Sequence, residues 1–323
     1  MQYKPILIVS GEPNSIFFEI FFKTLKKKKI KSPLILIGSI KLLKLQMKEL
    51  NYNIKINQIS TNSLTNLKFD NKLINVIDVE YNCSKPFDKI SNKSKDYIEN
   101  CFKIAFKIIN QGTTDKLISG PISKKSFLNK KYLGLTEYIA EKFNTQKKAM
   151  LIYNKKLSVC PLTTHLPLKK VVKEITKINI YEKTSLINNF YKKYVGYKPR
   201  IAILGLNPHC ESVDKFNEDE KIIKPAVKYL KKLKYNILGP FSADTIFLKE
   251  NRKKFDVIIG MYHDQVLTPI KTLFEYDAIN ITLGLPFLRV SPDHGPNEKM
   301  LGKNISNPIS LIKAITFLDK RID

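Results

Sequence analysis

A chain of 323 residues is long enough for two domains or one large one, and its hydrophobic content of 43% marks it as a protein that folds. It contains no run of eighteen apolar residues and opens on no basic-then-apolar leader, so the expectation is a soluble, cytoplasmic protein. The net charge of +27 raises nucleic acid as a partner. Yet only four of the 56 basic residues are arginines (Arg200, Arg252, Arg289, Arg321), and the lysines are spread over nearly every helical segment, which argues for a solvated surface instead.

Apolar runs of four to eight residues alternate with amphipathic stretches from end to end. Strands are expected at Pro5–Ser10, Pro33–Gly38, Leu73–Val79, Lys116–Ser119, Met150–Tyr153, Ile201–Leu206, Val257–Met261 and Ala278–Leu283. Helices are expected at Ser94–Asn110, Val172–Tyr194 and Glu218–Leu233, the last with a capping-box start from Asn217 and Glu220. The dense block Lys23–Lys31 falls at a helix end, where cations suit the dipole. Asn307-Pro308 reads as a cap with proline at N1 before ISLIKAITFL. Such alternation predicts an α/β protein with a largely parallel sheet. The four cysteines (Cys83, Cys101, Cys160, Cys210) form no CxxC pair, which argues against a disulfide framework or a cysteine zinc cluster.

In open α/β sheets chemistry collects at the strand ends. Three of the four histidines lie there: His165 after VCPL, His209 after AILGLNP and His263 after VIIGMY. The fourth, His294, lies in SPDHG. One such histidine is most simply a satisfied polar residue. Three at equivalent positions suit a divalent ion such as Zn²⁺, Mn²⁺ or Co²⁺ with positions left open for substrate. Lys271, Asn280 and Arg289 add anion-binding groups, with Arg289 expected just after an apolar strand, either meeting an anion or forming a salt bridge.

The segments GEP, SGPISK, GLTEYIA, TTHLPL, GLNPH, GPFSADTIF, MYHDQVLTPIK and NITLGLPFLRVSPDHG, in that order across the chain, resemble the 4-hydroxythreonine-4-phosphate dehydrogenase family of pyridoxal-phosphate biosynthesis. The resemblance implies the two-domain fold of isocitrate and isopropylmalate dehydrogenases. Residues 1–125 with 275–323 would form a cofactor-side domain, and 126–274 a metal and dimerisation domain. It also implies an active site in the cleft between domains, in a homodimer whose metal site is completed by the neighbouring subunit. The matching metal ligands are His165, His209 and His263, for Zn²⁺, Mn²⁺, Co²⁺ or Mg²⁺; the matching substrate positions are Thr136, Lys271, Asn280 and Arg289. His294, Gly295 and Asn307 match the NAD or NADP loop. General acid–base candidates are Asp244, Asp264 and Lys124, with Asp264 either orienting a histidine or shuttling protons.

The chain departs from the family pattern at four places. Leu135 stands where the family has a histidine before Thr136, which removes one phosphate contact. Ser15, Phe17 and Phe18 replace small residues or proline in GEPNSIFFE, which argues against a tight backbone approach there. Pro296 removes an N–H from the cofactor loop, and Cys210 beside His209 is either a fourth ligand or a passive small side chain. These departures keep open a phosphorylated four-carbon sugar acid (threonate or erythronate type) as substrate, and a non-catalytic family member kept as a dimer.

Overall fold

The computed structural model describes residues 3–61, 64, 70–128, 131–132 and 134–320. In chain order its strands are β1 (Ile6–Val9), β2 (Leu34–Gly38), β3 (Ile56–Gln58), β4 (Ile74–Asp78), β5 (Lys116–Ser119), β6 (Ala149–Tyr153), β7 (Ser158–Pro161), β8 (Ile201–Leu204), β9 (Ile237–Phe241), β10 (Val257–Gly260), β11 (Ile279–Leu283) and β12 (Leu288–Pro292). Helices are interleaved with them, as the alternating pattern requires. Among the described residues, no helix is long and apolar enough to cross a membrane.

The chain divides into two compact units, Met1–Ile139 with Pro286–Asp323, and Ala140–Leu285. In the first, the strands run in the order β3-β4-β2-β1-β5-β12, and every neighbouring pair is parallel. Strands β1, β2 and β5 are buried along their whole length; β1 and β2 accordingly read as unbroken apolar runs, while β5 starts on the buried Lys116 and ends on the buried Ser119. In the second unit the order is β11-β6-β7-β10-β8-β9. There β6 lies antiparallel to both β11 and β7, and the remaining pairs are parallel. Strand β11 pairs with β6 and lies in the second unit, which runs from Ala140 to Leu285.

Three local expectations are corrected. The helix expected over Val172–Tyr194 is two, Leu168–Glu174 and Lys177–Phe190, because the Thr176 hydroxyl accepts from Asn179 N (3.1 Å) and starts a new helix. Asn217 does cap the next helical segment, accepting from Asp219 N and Glu220 N. Glu220, however, pairs with Lys224 instead of returning to the cap, so the box is only half made. Finally, a tight backbone approach does occur in the first unit. It is made by Gly11, just ahead of the substituted residues. Glu12 N donates to Pro121 O (2.8 Å), and a Cβ on Gly11 or Gly120 would sit 2.3 Å from Pro121 O or 2.2 Å from Ser10 O. Phe17 and Phe18 are core residues of the helix Phe17–Lys27 and take no part in that contact.

The β1 and β5 turns therefore meet as bare backbone. Gly120→Ala is expected to destabilise the protein by about 1–3 kcal/mol through overpacking, measured by urea denaturation. Gly112→Ala, where nothing lies within 4 Å, meets only the strain of its φ of +75° and serves as the comparison.

Candidate active site

Parallel pairing of β7 and β10 sets Cys160 beside Ile259 and Pro161 beside Gly260, so the two strands end level. The turns that follow are bonded together. Leu162 N donates to Gly260 O (2.7 Å), and the Thr163 amide (3.3 Å) and hydroxyl (2.8 Å) both donate to Met261 O. This brings the rings of His165 and His263 to 5.4 Å between centroids. His263 is the first residue of the helix His263–Phe274 rather than the last of a strand. Its Nδ1 lies 2.6 Å from Asp264 Oδ1. An ionised carboxylate only accepts, so Nδ1 is the donor in this contact and Nε2 is the nitrogen left for another partner.

The third histidine stands on the turn after β8. That turn is shaped by Asp219, a fully buried carboxylate. Its Oδ1 accepts from Leu206 N (2.8 Å), and its Oδ2 from Asn207 N (3.1 Å) and Asn207 Nδ2 (2.9 Å). Beyond it His209 (φ 56°) and Cys210 (φ 61°) are consecutive left-handed residues, a conformation that costs a non-glycine residue about 1–3 kcal/mol where the surroundings enforce it. Cys210 is buried against Gly205, where a Cβ would sit 2.6 Å from its sulfur. Burial raises its thiol pKa, which suits a packed side chain better than a thiolate ligand. Asp244 is exposed on the short helix Ala243–Ile246. A hydrogen bond with the Ser242 side chain, and then the charge of His209, hold its pKa below the usual carboxylate value. It is an anion at neutral pH, fitted to attract cations rather than to donate a proton.

Two imidazoles side by side, one with its second nitrogen held by a carboxylate, suit a divalent ion with metal–nitrogen bonds of about 2.0–2.1 Å. His209 does not close that pair into a cluster within the chain. Among the described residues, no group of three or more His, Cys, Asp or Glu side chains is placed to hold a metal ion. Lys271 lies two turns along the His263 helix, about 12 Å at 1.5 Å per residue. Asn280, on β11, has a buried Oδ1 with no hydrogen-bond partner among the described residues.

In the first unit Arg289 is buried within β12, paired with Leu117 of β5, and not beyond a strand end as expected. The apolar run ITLGLPFLR holds parts of two strands, which its composition conceals. Arg289 Nε (3.0 Å) and Nη2 (2.7 Å) both donate to Ser119 Oγ at the end of β5. Burial lowers the guanidinium pKa to about 10, against the opposing charge of Glu137, so it remains a cation at neutral pH. Thr136 and Glu137 lie in the first turn of the helix Leu135–Lys142, which Leu135 opens. Lys124 is exposed at the start of the helix Lys124–Phe127, capped by Ser123, whose Oγ accepts from Ser126 N. In the expected cofactor loop, His294 Nδ1 contacts Gly295 O (3.0 Å); Pro308 stands at the N-cap of the last helix rather than at N1, and Asn307 Oδ1, one residue earlier, accepts from Ile309 N (2.9 Å). Pro296 has no N–H, but its carbonyl accepts from Ile16 N (3.1 Å) and ties this loop to the Phe17–Lys27 helix. Glu137, Asp219 and Gln265 escaped the sequence reading. Each stood beside a recognised feature: Glu137 beside Thr136, Asp219 between Asn217 and Glu220, and Gln265 beside His263-Asp264.

Interleaved helices on largely parallel sheets, with polar turns at the strand ends, make this an α/β protein of the isocitrate dehydrogenase-like fold. The isocitrate dehydrogenase of Methylococcus capsulatus superposes with a TM-score of 0.51 at 9% identity, over 98% of this chain and 85% of that one, a likeness of fold alone. The sequence model of the pyridoxal phosphate biosynthetic protein PdxA matches residues 29–318, and the chain belongs to that family. It is 41% identical over 317 residues to a 4-hydroxythreonine-4-phosphate dehydrogenase of Sulfurihydrogenibium sp. (strain YO3AOP1), covering 96% of each chain. It is 32% identical over 303 residues to the D-threonate 4-phosphate dehydrogenase of Salmonella typhimurium, covering 91% of this chain and 92% of that one. A solved 4-hydroxythreonine-4-phosphate dehydrogenase from Klebsiella pneumoniae superposes with a TM-score of 0.82 at 28% identity, over 98% of both chains.

Ser119 accepts two bonds from a buried guanidinium, and hydrogen bonds to charged groups contribute about 1.5–3 kcal/mol each. Ser119→Ala is expected to lower stability by roughly that amount, read from the chemical-denaturation midpoint at pH 7. An unchanged midpoint would show that Arg289 is held by other partners.

Proposed function

We propose that this chain is a metal-dependent, NAD(P)-linked dehydrogenase acting as a cytoplasmic homodimer in pyridoxal 5'-phosphate biosynthesis. It oxidises 4-phosphohydroxy-L-threonine to the 3-oxo acid, which loses CO₂ to give 3-amino-2-oxopropyl phosphate. The observation that carries this reading is the His165–His263 pair with Asp264 on His263 Nδ1, in a chain 41% identical to a relative of that name.

Oxidation of a secondary alcohol removes a proton from oxygen and a hydride from carbon. His165 and His263, with His209 as the third position matching the family, would hold a divalent ion, which would supply positive charge to the substrate oxygen, and a bound nicotinamide would supply the hydride acceptor. The chain's own residues do the positioning. Arg289, already desolvated and oriented by Ser119, presents a fixed cation to a phosphate or carboxylate. Lys271, Asn280 and Thr136 add further contacts, with the Asn280 Oδ1 acceptor suited to an ammonium or hydroxyl group. Asp264 fixes the His263 tautomer, and Asp244 and Lys124 are the remaining proton-transfer candidates. His294, Gly295 and Asn307 form the proposed cofactor loop.

A second substrate is favoured by relatives named D-threonate 4-phosphate dehydrogenase; Leu135 does not discriminate, because both substrates carry a phosphate. The test is NADH or NADPH formation by the purified protein with each substrate, with Zn²⁺, Mn²⁺ or Mg²⁺ added. Turnover of the amino acid phosphate supports the first reading. Turnover of threonate phosphate alone reassigns the substrate, and silence with both favours a non-catalytic dimer. His263→Ala is expected to cut turnover by about 10²–10³-fold or more and to weaken metal binding. Full turnover in that variant would rule out the metal mechanism.

A further inference from the structure

The loop between β12 and the helix Ile309–Leu318 does not hold its shape by itself. Asn297 (φ 51°), Gly302 (φ 75°) and Asn304 (φ 55°) all sit in the left-handed region, and two of the three carry side chains. Such backbone persists only where the surroundings enforce it. Much of the enforcement comes from the helix Phe17–Lys27. At one end of the loop, Ile16 N, at that helix's N-cap, donates to Pro296 O (3.1 Å). At the other, the buried Glu19 accepts through Oε1 from Ser306 N (2.6 Å) and from Lys23 Nζ (2.7 Å). Lys23 Nζ also donates to Asn304 O and Ser306 O, both at 2.9 Å, so all three ammonium protons are used. The pinned segment, 296–306, is flanked by Gly295 and Asn307. A Cβ on Gly295 would meet nothing within 4 Å, which leaves room for a flat group such as a nucleotide ring against the backbone.

We propose that Glu19 and Lys23 are positioning residues, whose ion pair holds segment 296–306 in the shape that receives a nicotinamide nucleotide before the nucleotide arrives. This rests on the reading that His294, Gly295 and Asn307 form the cofactor loop. The two residues divide the work. Glu19 fixes the Ser306 amide, and Lys23 gathers two carbonyls of the same turn while neutralising the carboxylate that Glu19 buries. Without Lys23 that carboxylate would be a buried charge with no cation beside it, which is costly to the fold. The effect on binding follows from populations: a loop that holds the receptive shape one-tenth of the time binds about tenfold more weakly.

The experiment compares the full-length parent with Lys23→Met, the double variant Glu19→Gln/Lys23→Met, and Gly295→Val. Binding of NAD⁺ and NADP⁺ is measured by calorimetry, stability by thermal denaturation, and protection of the Ser306 amide by hydrogen exchange. In the nucleotide-free parent that amide is expected to be protected already; protection that appears only with nucleotide would overturn the proposal. Lys23→Met is expected to lose stability and to bind nucleotide about tenfold more weakly. The double variant removes the stranded charge, so its stability should recover while its nucleotide affinity stays about tenfold low, a separation that a purely structural role would not produce. If whichever Lys23 variant folds keeps the parent's affinity while Gly295→Val loses binding, the positioning role is wrong and the cofactor reading stands. If the parent binds neither nucleotide, or Gly295→Val binds as the parent does, the cofactor reading fails and takes this proposal with it.

Discussion

Parallel pairing of fully buried strands is the constraint from which the candidate site follows. Strands β7, β10 and β8 are buried on both faces, so exposed hydrogen-bonding groups gather at their carboxyl ends. Parallel register puts those ends side by side. Residues separated by about a hundred positions in sequence, such as Thr163 and Met261, then become hydrogen-bonding neighbours. Polar turn residues hold those ends in fixed relation, and the histidines are carried on the result.

Much of this was legible because buried parallel strands and capped helices leave strong local signals. Lys116–Ser119 occurs as expected, and seven other strands lie within one or two residues of their expected ends. What escaped did so for physical reasons. Strand β9 contains Gly239-Pro240, which reads as a turn, yet an edge strand tolerates a residue without an N–H. Strand β3 is short, partly polar and also at an edge. The break at Thr176 depends on which of two competing bonds its hydroxyl makes, something apolar periodicity does not report.

The site was legible by residue type and less so by geometry. The strand-end positions of His165 and His263 followed from the pattern, and their proximity follows from pairing. His209 was equally visible, but its left-handed backbone is set by Asp219 and by the packing of Cys210 against Gly205. No spacing in the sequence encodes that. Arg289 was expected beyond a strand and lies inside one, where Ser119 meets it from the neighbouring strand. Such partnerships become visible only once the strand order is known.

The meeting of Gly11 with the Gly120 turn bears on how this chain can change. The atoms that an added methyl group would strike are backbone carbonyls of Ser10 and Pro121, and no replacement of a neighbouring side chain can shrink a carbonyl. Each position already carries the smallest residue available. A loss at one cannot be offset by a second substitution at the other, so the two glycines form an evolutionary dead end. Change in this region is left to residues outside the pair, such as Phe17 and Phe18, which fill the core a few residues away.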